Sequence, residues 1–192
     1  LLVTTKNSLV IFPFLSKVGK YFWWCCIVII KISLGIFVVL AASRFIPHPP
    51  NFTSLLALSF YIPALLGVRY LPALIASFIL TDLVIGLHGV TLFTWGSVIF
   101  IGLGSRFFLK NIYTRVSGSL LGACLFFIVT NFGVWSLGSY GYKLEGLMMS
   151  YTLAIPFFTY TIISTFVFSA IFEGVYKLTS KNLKLKFLTN FK

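Results

Sequence analysis

Carboxylates are almost absent from this chain: Asp82, Glu145 and Glu173 are the only acidic residues among 192. Charged residues of both signs amount to 9%, against 59% hydrophobic, whereas a water-soluble domain needs roughly a quarter of its residues charged to cover its surface. The scarcity excludes a soluble globular domain and points to a chain solvated by lipid over most of its length. Cysteine is sparse as well. Cys25, Cys26 and Cys124 offer neither CxxC spacing nor an even set, so no zinc knuckle or disulfide framework is indicated. Cys124 lies in an apolar run and reads as packing. Cys25 and Cys26 sit beside a span, where lipidation occurs, although two small interfacial residues are the simpler reading. No Walker, GxSxG or HExxH motif occurs, so nothing suggests nucleotide hydrolysis, a serine nucleophile or a zinc peptidase. The chain is expected to have no catalytic residue, no metal and no cofactor.

What is present is apolar length and basic charge. The net charge is +12, but the basic residues lie in short clusters between apolar runs and never interleave with aromatics, so nucleic acid is not an expected partner. A spanning helix needs about 20 mostly apolar residues, because each rises about 1.5 Å through a hydrocarbon core about 30 Å thick. Six segments meet that requirement: 24–45, 52–68, 70–87, 91–109, 116–135 and 149–176. The predicted fold is all-α, a polytopic membrane bundle of about six transmembrane helices at 24–176. An N-terminal segment, 1–23, precedes it and a basic tail, 177–192, follows. IPHPPN at 46–51, VRY at 68–70, GLHG at 86–89, LKNIYTR at 109–115 and SLGSYGYKLEG at 136–146 punctuate the spans. The brief VRY link makes the second and third spans an antiparallel hairpin, with kinks expected at Pro63 and Pro72.

Basic residues fall unevenly on the two sides of this arrangement. Lys6, Lys17, Lys20, Arg69, Arg106, Lys110, Arg115, Lys177, Lys181, Lys184, Lys186 and Lys192 collect on one side and Arg44 and Lys143 on the other, a bias of 12 to 2. Lys31 falls inside the first span, where its stem can snorkel to the nearer interface. Positively charged loops are retained in the cytoplasm, so both termini are expected there. Residues 17–43 also have the outline of a secretory signal, but the apolar stretch exceeds the roughly 7–15 residues of one.

With that orientation the polar residues of the spans gather toward the outside. Arg44 ends the first span, His48 and Asn51 lie in the first outer loop, and His88 and Thr91 flank the second. Asp82 is expected about 7 Å below the outer edge and Asn131 about 6 Å below it, with Pro156 breaking the last span at a similar level. An ionisable group within a span faces the bundle interior and needs a partner or a wet cavity. Arg44 is the leading partner for Asp82, either as a clamp between helices or as one wall of an outward-opening pocket. His48, His88 and Asp82 are residue types that suit zinc, but no metal-ligand spacing joins them. Phe93, Trp95, Phe132, Trp135, Tyr140 and Tyr142 mark the outer interface as an aromatic belt, and Trp23 and Trp24 the inner one.

The strings RFIPHPPNFTSLLAL (44–58), TDLVIGLHG (81–89), TNFGVW (130–135) and AIPFF (154–158) resemble a family of small, functionally uncharacterised bacterial membrane proteins, over residues 35–172. That family in turn resembles the substrate-specific S components of energy-coupling-factor transporters, six-helix proteins that capture vitamins or metal ions from outside. The resemblance implies an inner-membrane location, a small-molecule ligand, a transmembrane coupling subunit and partner ATPases. One feature departs from it: S components carry AxxxA on the first helix, and residues 33–43 here read SLGIFVVLAAS.

The sequence is accordingly read as a substrate-binding component of a small-molecule, vitamin-like uptake transporter. Arg44, His48, Asn51, Asp82, His88, Asn131 and Trp135 are assigned to binding. The alternatives are an outer-leaflet enzyme acting on a lipid or isoprenoid, with Asp82 and His88 as acid and base, and a structural or assembly subunit without a ligand.

Overall fold

The computed structural model describes residues 8–189, with side chains at 23, 24 and 26–181. Lys6 and Lys192, counted in the charge bias, lie outside the described residues, as do the side chains of Lys17, Lys20, Cys25, Lys184 and Lys186. Every described element is helical: α1 (Ser8–Phe45), α2 (Leu55–Leu66), α3 (Leu71–Ile85), α4 (Thr91–Gly104), α5 (Ile112–Ser136), α6 (Leu144–Thr152) and α7 (Ile155–Thr189), with 3-10 turns at Val68–Tyr70 and Ser105–Phe108.

The chain divides into two compact units, Leu1–Gly35 and Ile36–Lys192. The first contains the N-terminal part of α1, helical already from Ser8, well ahead of the expected span start at 24. The second contains everything that follows.

Five stretches are long and apolar enough to cross a membrane: Cys26–Phe45, Val68–Ile85, Thr91–Phe108, Ile112–Ser136 and Ile155–Lys181. The expected span at 52–68 is instead the 12-residue α2, about 18 Å long. Its hydropathy reflects burial in protein, because every residue from Leu55 to Pro63 is buried. It packs against α3, α4, α5 and α7. Leu56, Ala57, Phe60 and Tyr61 of α2 form the core with Ile101 of α4 and Ala123 of α5. Gly118 permits the approach of α5 to α2, since a Cβ there would lie 2.7 Å from both Phe60 and Phe108. Small residues at crossings are how helices associate where lipid supplies no hydrophobic drive.

Two further expectations change. Pro72 produces no kink, because it stands in the first turn of α3, where a missing N–H costs no helical hydrogen bond. Pro63 does lie inside α2, one turn from its end at Gly67. The segment predicted as loop 136–146 followed by a span from 149 contains a separate short helix, α6, and the last span begins at Ile155. Tyr151 of α6 donates to the Phe127–Ile128 region of α5, its hydroxyl reaching the Ile128 carbonyl at 2.8 Å. Pro156 occupies the first turn of α7, a helix start rather than a mid-span break.

Candidate functional site

Many buried hydroxyls in this fold are satisfied locally, although Tyr61 Oη and Thr165 Oγ1 are buried without a hydrogen-bond partner. Ser59, Ser77, Ser97 and Ser105 each donate to a carbonyl three or four residues back on their own helix, the usual solution where no water is at hand. Ionised groups cannot be satisfied that way, so the two ion pairs found among the described residues mark where distant parts of the chain meet.

The first pair joins the end of α1 to α3. Arg44 Nη2 lies 2.6 Å from Asp82 Oδ1, and Nη1 donates to Thr81 Oγ1 at 2.7 Å. The guanidinium also stands over the Phe78 ring, 4.9 Å from its centroid, a cation–π contact that gains strength away from water. The other carboxylate oxygen, Oδ2, accepts from Trp95 Nε1 at 2.7 Å, which brings in α4. Arg44 in the last turn of α1 also faces the negative end of that helix dipole. Asp82 is only 3% exposed, and both of its oxygens are engaged by protein donors. It thereby holds Arg44 and Trp95 together, so the expected partnership with Arg44 is present and extends to a second helix.

Beside this clamp lies a cavity of about 420 Å³. Arg44, His48, Asn51, Asp82 and His88 all line it, together with Thr53, Phe78, Thr94, Phe126, Thr130 and Thr161. A smaller recess of about 140 Å³ adjoins it, sharing Asn51, Phe126, Thr130 and Thr161 and adding Asn131, Phe127, Phe157 and Phe158. Asn51 bridges the two and has a left-handed backbone, φ 61°, a conformation that asparagine tolerates better than most residues. The loop around it is closed by Phe52 N–H on the Pro49 carbonyl at 3.0 Å. At the loop's end Ser43 Oγ meets Ser54 Oγ at 2.7 Å, tying α1 to the start of α2.

Six of the seven residues assigned from sequence thus converge. Trp135 does not: its Nε1 donates to the Lys143 carbonyl at 3.3 Å, its ring packs on Phe132, and it lines neither cavity. Sequence reading missed Trp95 as an Asp82 partner, and missed Thr94, Thr130, Thr161 and Phe126 altogether. Threonines in apolar runs carry no signal until the helix faces are known. Among the described residues no group of three or more His, Cys, Asp or Glu side chains is placed to hold a metal.

The second pair joins α5 to α7. Arg115 Nε and Nη2 donate to the two Glu173 oxygens, each at 2.6 Å. Arg115 was expected in a loop as part of the charge bias, and Glu173 was given no role; the fold buries Glu173 and largely encloses Arg115. Arg115 stands 16 residues before Asn131 on α5, about 24 Å along the helix, so the ion pairs occupy opposite ends of the fold. A groove of about 580 Å³ runs beside the second pair, walled mainly by Ile112, Val116, Phe166, Ala170 and Tyr176.

No curated protein and no solved structure matches the chain. Residues 27–187 match the model of a family of unknown function, DUF6580, and with that match spanning most of its length the protein belongs to this family.

Proposed function

We propose that the chain captures a small molecule at the outer face of a bacterial inner membrane, as the substrate-binding component of an uptake system. The observation that carries the reading is convergence. Polar side chains from α1, α4, α5, α7 and the loops at 46–54 and 86–90 meet around one cavity of about 420 Å³, a size usual for small-molecule sites, which are apolar with a few placed polar groups. The 12 to 2 distribution of Lys and Arg supports an orientation with both termini cytoplasmic and this cavity outside. Without a nucleotide-binding motif of its own, such a component draws its energy from other chains, a coupling subunit and ATPases.

A ligand-free structural subunit is the competing reading, and the saturation of the Arg44–Asp82 pair favours it. Native mass spectrometry of gently extracted protein separates the two. Capture predicts a retained small-molecule adduct that disappears when Thr161→Trp fills the cavity. A bare mass in both proteins, with no uptake defect on deletion, contradicts capture.

A further inference from the structure

We infer that the ligand is an uncharged, flat molecule that donates hydrogen bonds from N–H or O–H groups to a set of side chains left to accept; this rests on the reading of the cavity as a capture site.

A threonine hydroxyl has one proton to give and two lone pairs to accept with. Thr94 gives its proton to the Thr91 carbonyl at 2.8 Å, Thr130 to Phe126 at 2.8 Å and Thr161 to Phe157 at 3.0 Å. All three line the cavity, and what each still offers is a lone pair. Asn131 in the adjoining recess repeats the pattern, since its Nδ2 donates to the Phe127 carbonyl at 2.7 Å and its Oδ1 is left to accept. His48 does likewise: Nδ1 lies 2.7 Å from the Pro49 carbonyl, which can only accept, so in the neutral ring Nδ1 carries the proton and Nε2 the lone pair. Five side chains therefore lean the same way and outnumber the lining groups that keep a donor, Arg44 Nε, Asn51 Nδ2 and the Thr53 hydroxyl.

The charge of the cavity is settled by its walls. Arg44 and Asp82 are its only lining residues with formal charge and they neutralise each other at 2.6 Å. A charged ligand would lose its hydration with no counter-ion to receive it. Phe78 and Phe126 in the cavity and Phe127, Phe157 and Phe158 in the recess supply apolar faces, which favour a planar body by stacking or edge contact. Donors lacking acceptors, or acceptors set against these lone pairs, leave buried groups unpaired, and that is the larger source of discrimination.

The test uses a matched pair of probes, 2-benzimidazolone and 1,3-dimethyl-2-benzimidazolone, which share a flat neutral body and differ in two N–H donors. Binding to the full chain in lipid nanodiscs is followed by ligand-detected NMR. The parent is expected to bind roughly tenfold more tightly than the dimethyl compound, and Thr130→Val/Thr161→Val, which keeps shape and removes the lone pairs, should abolish that difference. Benzoate and benzylammonium should both bind more weakly than the parent. Equal or tighter binding of the dimethyl compound or of either ion, lost in the cavity-filling Thr161→Trp protein, overturns the donor inference and leaves capture standing. Absence of probe binding, or binding that Thr161→Trp leaves intact, removes capture and the inference together. Thermal unfolding of each variant confirms that it is folded.

Discussion

Arg115 and Glu173 meet as a two-bonded fork, guanidinium edge against carboxylate edge, although they stand 58 positions apart in the chain. Their side chains are 12% and 7% exposed, and the planar match of the two groups gives direction as well as attraction. The pair fixes the first turn of α5 against α7.

Removing one member of such a pair strands a buried charge, which typically costs about 3–5 kcal/mol, whereas replacing both with apolar groups is often neutral. Glu173→Gln is therefore expected to lower stability by an amount in that range, and Arg115→Leu/Glu173→Leu to recover most of it. Thermal or denaturant unfolding in detergent measures both. Equal losses in the single and double variants would show that packing rather than charge compensation dominates there.

Asp82 is expected to behave similarly, with Trp95 included. Asp82→Asn should destabilise by about 3–5 kcal/mol, and Arg44→Gln in the same chain should restore much of the loss. Trp95→Phe removes a hydrogen bond to a charged acceptor, about 1.5–3 kcal/mol. In an Asp82→Asn background that penalty should shrink, which a double-mutant cycle reads directly. An undiminished penalty would mean that the indole acts by packing alone.

Orientation yields a labelling experiment. Cysteines placed at positions 48 and 88 are expected to react with an impermeant thiol reagent applied from outside, and cysteines at 112 and 184 to stay unlabelled until the membrane is opened. The reverse pattern would invert the topology inferred from the basic residues and move the cavity to the cytoplasmic side.

Glycine positions separate crowding from mere helix propensity. Gly118→Val drives a side chain into Phe60 and Phe108, and overpacking of this kind costs about 1–3 kcal/mol. Gly96→Ala, in the middle of α4 with nothing within 4 Å of the added carbon, should be neutral or stabilising by up to about 1 kcal/mol. A comparable loss at both positions would count against the α2–α5 crossing as described.

Apolar length and basic clusters made the helical class readable from sequence, and so was Arg44 as the partner of Asp82, because an ionisable group within an apolar run must be compensated. Arg115 and Glu173 escaped notice for the opposite reason: Arg115 lies near a helix start and Glu173 near the end of the expected last span, where charge is ordinary, and only the packing of α5 on α7 reveals their enclosure. The cavity threonines on helices, Thr94, Thr130 and Thr161, are hidden too, since a hydroxyl in an apolar run is unremarkable until its helix face is known. Trp135 was drawn into the site by its level in the membrane, although level does not fix direction around a helix axis. The short α2 was mistaken for a full span because hydropathy cannot tell enclosure by lipid from enclosure by protein. The break between α6 and α7 carried one cue, Pro156, which marks a helix start as well as a helix break.

The enclosure of α2 also bears on how the protein is made. Twelve residues are too few to hold a helix across a hydrocarbon core about 30 Å thick, so in a bilayer α2 would need the company of α3, which follows it through the turn at Gly67 with its φ of 99°. With only those two helices made, its flanks are bare, because α4, α5 and α7, which cover them, are still unsynthesised. The innermost helix is thus threaded early and clothed last. A chain lacking α7 would leave one flank of α2 uncovered, so the closing of that surface would mark completion of the fold.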